Sequence, residues 1–193
     1  MVVMLCSCQQ NFTPKPYAYY RIDFPEKEYR MYDSIYPFTF KYPVYGTVTP
    51  DTRYGSELYW LNIKFPKYKG TIHLTYKEID SDFDRFIEDN WNFLFKIAQK
   101  ADAIDEKIFE NPDEKVYGIV YEIRGNVASQ VLFYATDSVK NFLRGSLYFS
   151  TRPNHDSLAP VVAFFSKDIL TMVESLKWEE KKKLNRNHHG TFN

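Results

Sequence analysis

Cysteine is almost missing from this sequence of 193 residues. Only Cys6 and Cys8 occur, and both lie within the first eight residues. The rest of the chain therefore has no thiol for a disulfide framework, a cysteine-ligated metal or covalent catalysis. Glycine is also scarce, with seven scattered residues. Neither a glycine-rich phosphate loop nor the Gly-x-Ser-x-Gly elbow of many hydrolases is present.

An excess of either charge is missing as well. Lys plus Arg is 25 and Asp plus Glu is 25, so the net charge is zero. The chain as a whole is therefore not drawn towards nucleic acid, which we do not expect as a partner. No run of about 18 apolar residues occurs that could cross a bilayer as a helix. A partner attracted by charge would have to bind a local charged patch.

Aromatic residues are abundant at 18% of the chain. Disordered chains are poor in aromatics, so we expect most of this chain to fold. Its length suits one hydrophobic core better than two.

The N-terminus resembles a lipoprotein processing site. The apolar residues 1–5 lead into Cys6-Ser7-Cys8, and small residues beside a cysteine are what the processing peptidase needs. Cys8 is the predicted lipid attachment site, because at Cys6 the bulky Leu5 would sit beside the cleaved bond. The apolar run is shorter than the seven to fifteen residues of a signal core, so we expect a longer leader upstream. The alternative is a cytosolic protein with an apolar start.

Alternation of apolar and polar residues predicts six strands. They cover residues 38–42, 59–65, 71–76, 117–123, 127–133 and 143–149. A hairpin connection is predicted at residues 67–70, and another at Gly125-Asn126 because both residues tolerate positive φ. A turn is predicted at residues 136–138.

Apolar residues three and four positions apart predict two helices, each with one buried face. The first begins near Asp80, runs for about 30 Å and precedes an acidic loop at residues 111–113. Its buried stripe would be Phe83, Phe86, Ile87, Trp91, Leu94, Ile97, Ala98 and Ala101. The stripe of the second would be Leu158, Val161, Phe165, Ile169, Met172 and Leu176.

These elements predict an α+β fold: a single domain with a mainly antiparallel sheet of about six strands, packed by two amphipathic helices. Residues 1–8 would be a truncated lipoprotein signal, and residues 9–20 a tether containing two prolines and no acid. The domain would span residues 21–178, followed by a polar tail at residues 179–193.

Candidate catalytic residues are few. His155, in Asn154-His155-Asp156, precedes the second helix, where polar residues more often cap the helix than catalyse a reaction. His73 lies inside a strand, and His188-His189 lies in the polar tail, without the spacing of a zinc site. We therefore expect no enzymatic activity, no metal and no cofactor.

The segment of residues 78–115 is strongly acidic, with twelve acids and five bases. Asp80, Asp84 and Glu88 lie four residues apart on one face of the first helix. Such a face is usually only solvated. It is nevertheless the candidate partner surface, together with Asn154, His155 and Asp156.

Aromatic residues alternate with basic ones at residues 17–21, 29–32 and 60–68. Such a pattern can stack on sugar rings, so a glycan- or peptidoglycan-binding module is the alternative function. Most of these aromatics also fit strand alternation and would then belong to the core.

Five segments of the chain resemble those of a known family, at residues 13–29, 36–43, 63–77, 136–149 and 153–162. The best match is Thr-Asp-Ser-Val-Lys-Asn-Phe-Leu-Arg-Gly-Ser-Leu-Tyr-Phe at residues 136–149. The family that these segments resemble is the gliding motility lipoprotein GldD family. The resemblance covers residues 13–178, nearly the whole predicted domain.

This resemblance implies an accessory protein of gliding motility, linked to type IX secretion and to other envelope proteins of that machinery. The family has no assigned catalytic residues, and its lipidated cysteine corresponds to Cys8. Gln9, Gln10 and Asn11 follow Cys8 without an Asp or an acidic run. We therefore expect an outer-membrane lipoprotein whose domain faces the periplasm. The order of elements also has a looser likeness to the PsbP/Mog1-type sandwich.

Overall fold

The structure, a computed structural model, describes residues 22–79, 83–150 and 155–180, with only the backbone at residues 155 and 156. These residues form ten strands and two α-helices. In chain order the elements are β1 Tyr29–Tyr32, β2 Phe38–Pro43, β3 Thr47–Pro50, β4 Leu61–Phe65, β5 Gly70–Glu78, α1 Phe83–Ala98, β6 Ala101–Asn111, β7 Val116–Gly125, β8 Ser129–Thr136, β9 Asn141–Phe149, α2 His155–Glu174 and β10 Lys177–Trp178.

Seven strands form the main sheet, in the order β3-β4-β5-β9-β8-β7-β6, and every neighbouring pair is antiparallel. A small antiparallel sheet has the order β1-β2-β10. The predicted α+β class, with an antiparallel sheet and two helices in one domain, is confirmed.

All six predicted strands are present, and the structure adds β1, β3, β6 and β10. The largest difference is β6, because the predicted first helix reaches Ala101, the predicted acidic loop lies at residues 111–113, and no strand is predicted between them. Five of its eleven residues are charged and most are exposed, so β6 lacks the alternation of a half-buried strand. Helix α1 consequently ends at Ala98, before the predicted Ala101.

The main core lies between the sheet and α2, with β2 closing its side. Phe165 of α2 is fully buried, and its ring centroid lies 4.4 Å from that of Phe65 in β4. A smaller cluster lies under α1, where Leu94 packs with Tyr121 and Leu132. Because neighbouring strand residues point to opposite faces, α1 and α2 cover opposite faces of the sheet.

Two predicted connections are confirmed in detail. At the β7–β8 turn, Gly125 has φ of +123°, a conformation open to glycine. At the β8–β9 turn, one carboxylate oxygen of Asp137 accepts the backbone N–H groups of Val139, Lys140 and Asn141 at 2.8–3.0 Å. Burial raises the pKa of Asp137, but these N–H donors lower it more, so the net pKa lies below its ordinary value.

The segment before β1 is attached to α2 by a group that we call the Lys27–Asp168 clamp. Asp168 is 1% exposed, and its carboxylate accepts hydrogen bonds from Lys27, Tyr29 and Tyr45 at 2.6–2.8 Å. The Lys27 ammonium also lies 3.1 Å from the centroid of the Phe164 ring. Burial lowers the pKa of Lys27 more than the Asp168 carboxylate raises it. The clamp fixes where the chain enters the domain.

Candidate functional site

One stripe of α1 combines acidic and apolar side chains that remain exposed. Asp84, Glu88, Trp91 and Phe95 follow one another at helical spacings of three and four residues, so they share one side of the helix. The two acids are exposed, and Trp91 and Phe95 are 51% and 70% exposed. Two neighbouring aromatic side chains left in solvent make this stripe a candidate contact surface.

The stripe lies on the β6 side of α1. The ring of Trp91 lies 6.2 Å from that of Tyr121 in β7, next to β6. On the opposite flank of the helix, the ring of Phe93 lies 4.5 Å from the guanidinium carbon of Arg144 in β9. In the sheet, β9 lies on one side of β8 and β7, and β6 lies on the other. The two contacts therefore show that the stripe is on the β6 flank of α1.

Alternate residues of β6 extend this surface across the sheet. Ile104, Glu106, Ile108 and Glu110 pair with β7 residues on the face covered by α1. Ile104 is 39% exposed, Ile108 is 72% exposed, and both glutamates are exposed. These four residues and the α1 stripe together define what we call the α1–β6 surface. Four of its eight side chains are acids and none is a base.

A shallow cavity of about 210 Å³ adjoins this surface where α1 begins. Its lining includes Phe83 of α1, Ile108 of β6, Ile119 of β7 and Tyr134 of β8. Three of these side chains are purely apolar, so the cavity could accept an apolar side chain of a partner.

The tyrosines beneath the surface stay neutral. Burial raises the pKa of Tyr121 and Tyr134, and the negative charge of Glu106 raises both further. The Tyr121 hydroxyl is buried and has no hydrogen-bond partner among the described residues. Both groups are phenols rather than phenolates at physiological pH, so the surface owes its negative charge to its carboxylates.

A polar cluster lies on the same face of the sheet, beyond the other flank of α1. His73 Nδ1 lies 2.5 Å from the amide oxygen of Asn62, and its ring lies 5.5 Å from that of Tyr148. Burial lowers the pKa of His73, and the positive charge of Arg53 lowers it further. In the described part of the chain no hydroxyl or thiol hydrogen-bonds to His73.

The structure describes only some of the predicted site residues. Asp84 and Glu88 do share an exposed face of α1. Cys8, Asp80 and Asn154 lie outside the described residues, and only the backbone of His155 and Asp156 is described. That backbone begins α2, which packs on the sheet face opposite α1. The two groups of predicted surface residues thus belong to elements on different faces.

The sequence prediction missed the apolar half of the surface. It assigned Trp91 to the buried stripe of the first helix, which is wrong, since half of this side chain is exposed. It did not identify Phe95, Ile104 or Ile108. One available signal was the number of large apolar residues in α1, which exceeds what a single helix face can bury.

A family model described as "Gliding motility lipoprotein GldD" matches residues 9–178 of the chain. Among solved structures, one similar protein is cyanobacterial PsbP (CyanoP) from Synechocystis sp. PCC 6803. It has 12% sequence identity and a TM-score of 0.48, and the match covers 80% of this chain and 94% of that chain. No curated protein matches the chain.

The described residues include no helix that is long and apolar enough to cross a membrane. They contain no group of three or more His, Cys, Asp or Glu side chains placed to hold a metal ion.

Proposed function

Because the chain belongs to the gliding motility lipoprotein GldD family, we propose that it is a non-enzymatic accessory component of the gliding machinery that acts by binding other proteins. The family places the protein in the cell envelope as a lipoprotein of gliding motility. Its partners would be other envelope proteins of gliding or of type IX secretion, bound at the α1–β6 surface.

The observation that carries this proposal is the composition of the surface. Trp91 and Phe95 are exposed beside Asp84 and Glu88, and two exposed isoleucines of β6 lie on the same face. Aromatic side chains in the centre of a contact contribute most of the binding energy, and surrounding charges select the partner. A glycan site would instead group aromatics in a concave groove, whereas this surface is open and has only two aromatic side chains beside two isoleucines and four acids.

The anchor would be a lipid on Cys8, followed by the tether at residues 9–20. Extended, twelve residues reach about 40 Å, so the domain would meet only partners near its membrane. Gln9, Gln10 and Asn11 lack both an Asp beside Cys8 and an acidic run, which supports the outer membrane with the domain in the periplasm. Protease added to intact cells should then leave the domain uncut. Digestion of the domain would contradict this placement.

Co-purification from native membranes tests the docking function. Two pairs of substitutions, Asp84→Lys with Glu88→Lys and Trp91→Ala with Phe95→Ala, should each reduce the partner recovered and slow spreading. Two exposed pairs outside the stripe serve as controls: Glu174→Lys with Glu179→Lys for charge, and Asn92→Ala with Lys96→Ala for the helix. If the stripe variants stay folded and anchored yet recover as much partner as their controls, the proposed surface is wrong.

The absence of catalysis has its own test. His155→Ala should leave motility unchanged as long as the protein accumulates to its normal level. A folded His155→Ala protein at normal level that fails to support spreading would instead favour a catalytic role.

A further inference from the structure

The edge of β6 is the feature that extends this proposal. In the described part of the chain, β6 is the last strand of the main sheet and has no strand on its outer side. It is eleven residues long and contains no proline. The opposite edge strand, β3, has four residues and ends at Pro50, which cannot donate to a strand ladder. One edge is thus short and blocked, whereas the other is long and open.

Natural proteins usually protect a long edge strand, since its free N–H and C=O groups can pair with any other strand. On β6 the side chains that face α1 alternate between isoleucine and glutamate, as Ile104, Glu106, Ile108 and Glu110. A second copy of this edge would set glutamate against glutamate or against isoleucine. Like charges placed opposite each other destabilise strand pairing. On this face the edge therefore disfavours self-association, and no strand among the described residues pairs with its outer backbone groups.

We propose that β6 binds an extended segment of an envelope partner by strand addition, and that this segment carries basic and apolar residues in alternate positions of one face. The proposal rests on the docking function above and specifies how the partner binds. Side chains directly opposite each other on one face of paired strands form the stabilising contacts. The segment should therefore read basic-x-apolar-x-basic-x-apolar, with each basic residue opposite a glutamate and each apolar residue opposite an isoleucine.

Three features of the structure agree with such a ligand. The row on β6 has two acids and no base, so a basic segment would form an attractive charge pair with each glutamate. The α1 stripe adds Asp84 and Glu88 on the same face, next to the exposed rings of Trp91 and Phe95. The cavity beside Ile108 could take an apolar side chain from the segment's end. Backbone pairing would supply affinity, and the alternating pockets and charges would supply specificity.

The test uses the purified full chain and a synthetic peptide, Lys-Thr-Val-Thr-Lys-Thr-Val-Thr-Lys. A second peptide has Glu in place of each Lys, and a third has Pro in place of the two central Thr residues. Amide hydrogen exchange, followed by NMR, should slow about tenfold or more at alternate residues of β6 with the lysine peptide alone. Equal protection by the lysine and glutamate peptides, or protection confined to another strand, would overturn strand addition.

Two substitutions in β6 provide a matched pair. Glu106→Lys should weaken binding of the lysine peptide by about fivefold to tenfold, because an attractive cross-strand pair becomes repulsive. Asp105→Lys makes the same charge change on the opposite face of the same strand and should change binding by less than about twofold. Equal loss of binding in both variants would indicate general electrostatic attraction and overturn the predicted pattern.

The outcomes also separate the two proposals. If no peptide protects β6 while the α1 stripe variants still lose their partner, strand addition is wrong and the docking function stands. If the stripe variants also retain their partner, the docking function fails with it.

Discussion

The ammonium nitrogen of Lys27 lies 2.8 Å from a carboxylate oxygen of Asp168, although the two residues are 141 positions apart in the sequence. Asp168 is almost fully buried in α2, and Lys27 belongs to the segment that precedes β1. The hydroxyls of Tyr29 and Tyr45 complete the coordination of the carboxylate. This contact joins the entry of the chain to the centre of the domain.

Removing the Lys27 ammonium should therefore destabilise the folded domain. Lys27→Met leaves the Asp168 carboxylate buried with hydroxyl donors alone, and we expect it to lower the free energy of unfolding by about 3 kcal/mol. Guanidinium unfolding of the purified protein measures this change. Lys77→Met, which breaks an exposed pair with Glu57, should cost no more than about 1 kcal/mol. Equal costs for the two variants would show that the clamp is no stronger than a surface ion pair.

The pKa of His73 predicts how stability depends on pH. Burial and Arg53 hold this pKa below the ordinary value of 6.5. As pH falls below about 6.5, the unfolded chain binds more protons than the folded one. The contribution of neutral His73 to the free energy of unfolding is therefore complete above that pH, and it declines as pH falls towards the folded pKa of His73. Unfolding midpoints at pH 7.5 and pH 5.5 should differ less in His73→Gln than in the native protein. An unchanged difference would show that His73 titrates alike in both states.

The carboxylate of Asp137 should stabilise the β8–β9 turn. It accepts three backbone N–H groups, and its Oδ2 accepts the Asn141 side-chain amide at 2.7 Å. Asp137→Ala leaves these donors without their acceptor, and we expect a loss of about 2 kcal/mol by thermal or denaturant unfolding. Asp137→Asn keeps one acceptor oxygen and should lose less. This contribution also declines as pH falls below 3.8 and the carboxylate becomes protonated.

Lipid attachment can be measured in growing cells. The full-length protein should incorporate a labelled fatty acid and partition into detergent, and Cys8→Ser should do neither. Cys6→Ser is the matched control and should be labelled normally. Labelling that persists in Cys8→Ser but disappears in Cys6→Ser would move the attachment site to Cys6.

The sequence predicted those elements whose burial alternates along the chain. Strands β2, β5, β7 and β9 each have a run of alternating or fully apolar positions, and the structure contains all four. Strand β6 could not be predicted in this way. It is an edge strand exposed on both faces, so charged residues replace the alternation of apolar and polar residues that indicates a half-buried strand. Its strand state depends on pairing with β7, a contact absent from local sequence patterns.

The same limit applies to the candidate site. Two of its four acids followed from helical spacing, since Asp84 and Glu88 are four residues apart, but Glu106 and Glu110 of β6 did not. The number of large apolar residues in α1 signals that some of them stay exposed, but not that Trp91 is one, because a ring beside the buried face of a helix looks identical in sequence to one within it. Whether the ring is exposed depends on the position of α1 over β6, β7 and β8, and that position is a tertiary contact.

The Lys27–Asp168 clamp also has a mechanical consequence. Residues 22–28 precede every strand of the described chain, so tension applied from the N-terminal side reaches Lys27 before it reaches β1. There the load passes to α2, and through Phe165 to the interior of the sheet. Without the clamp, the same pull would peel β1, a strand of four residues, from β2 one residue pair after another. The clamp should therefore oppose unravelling of the domain from that end.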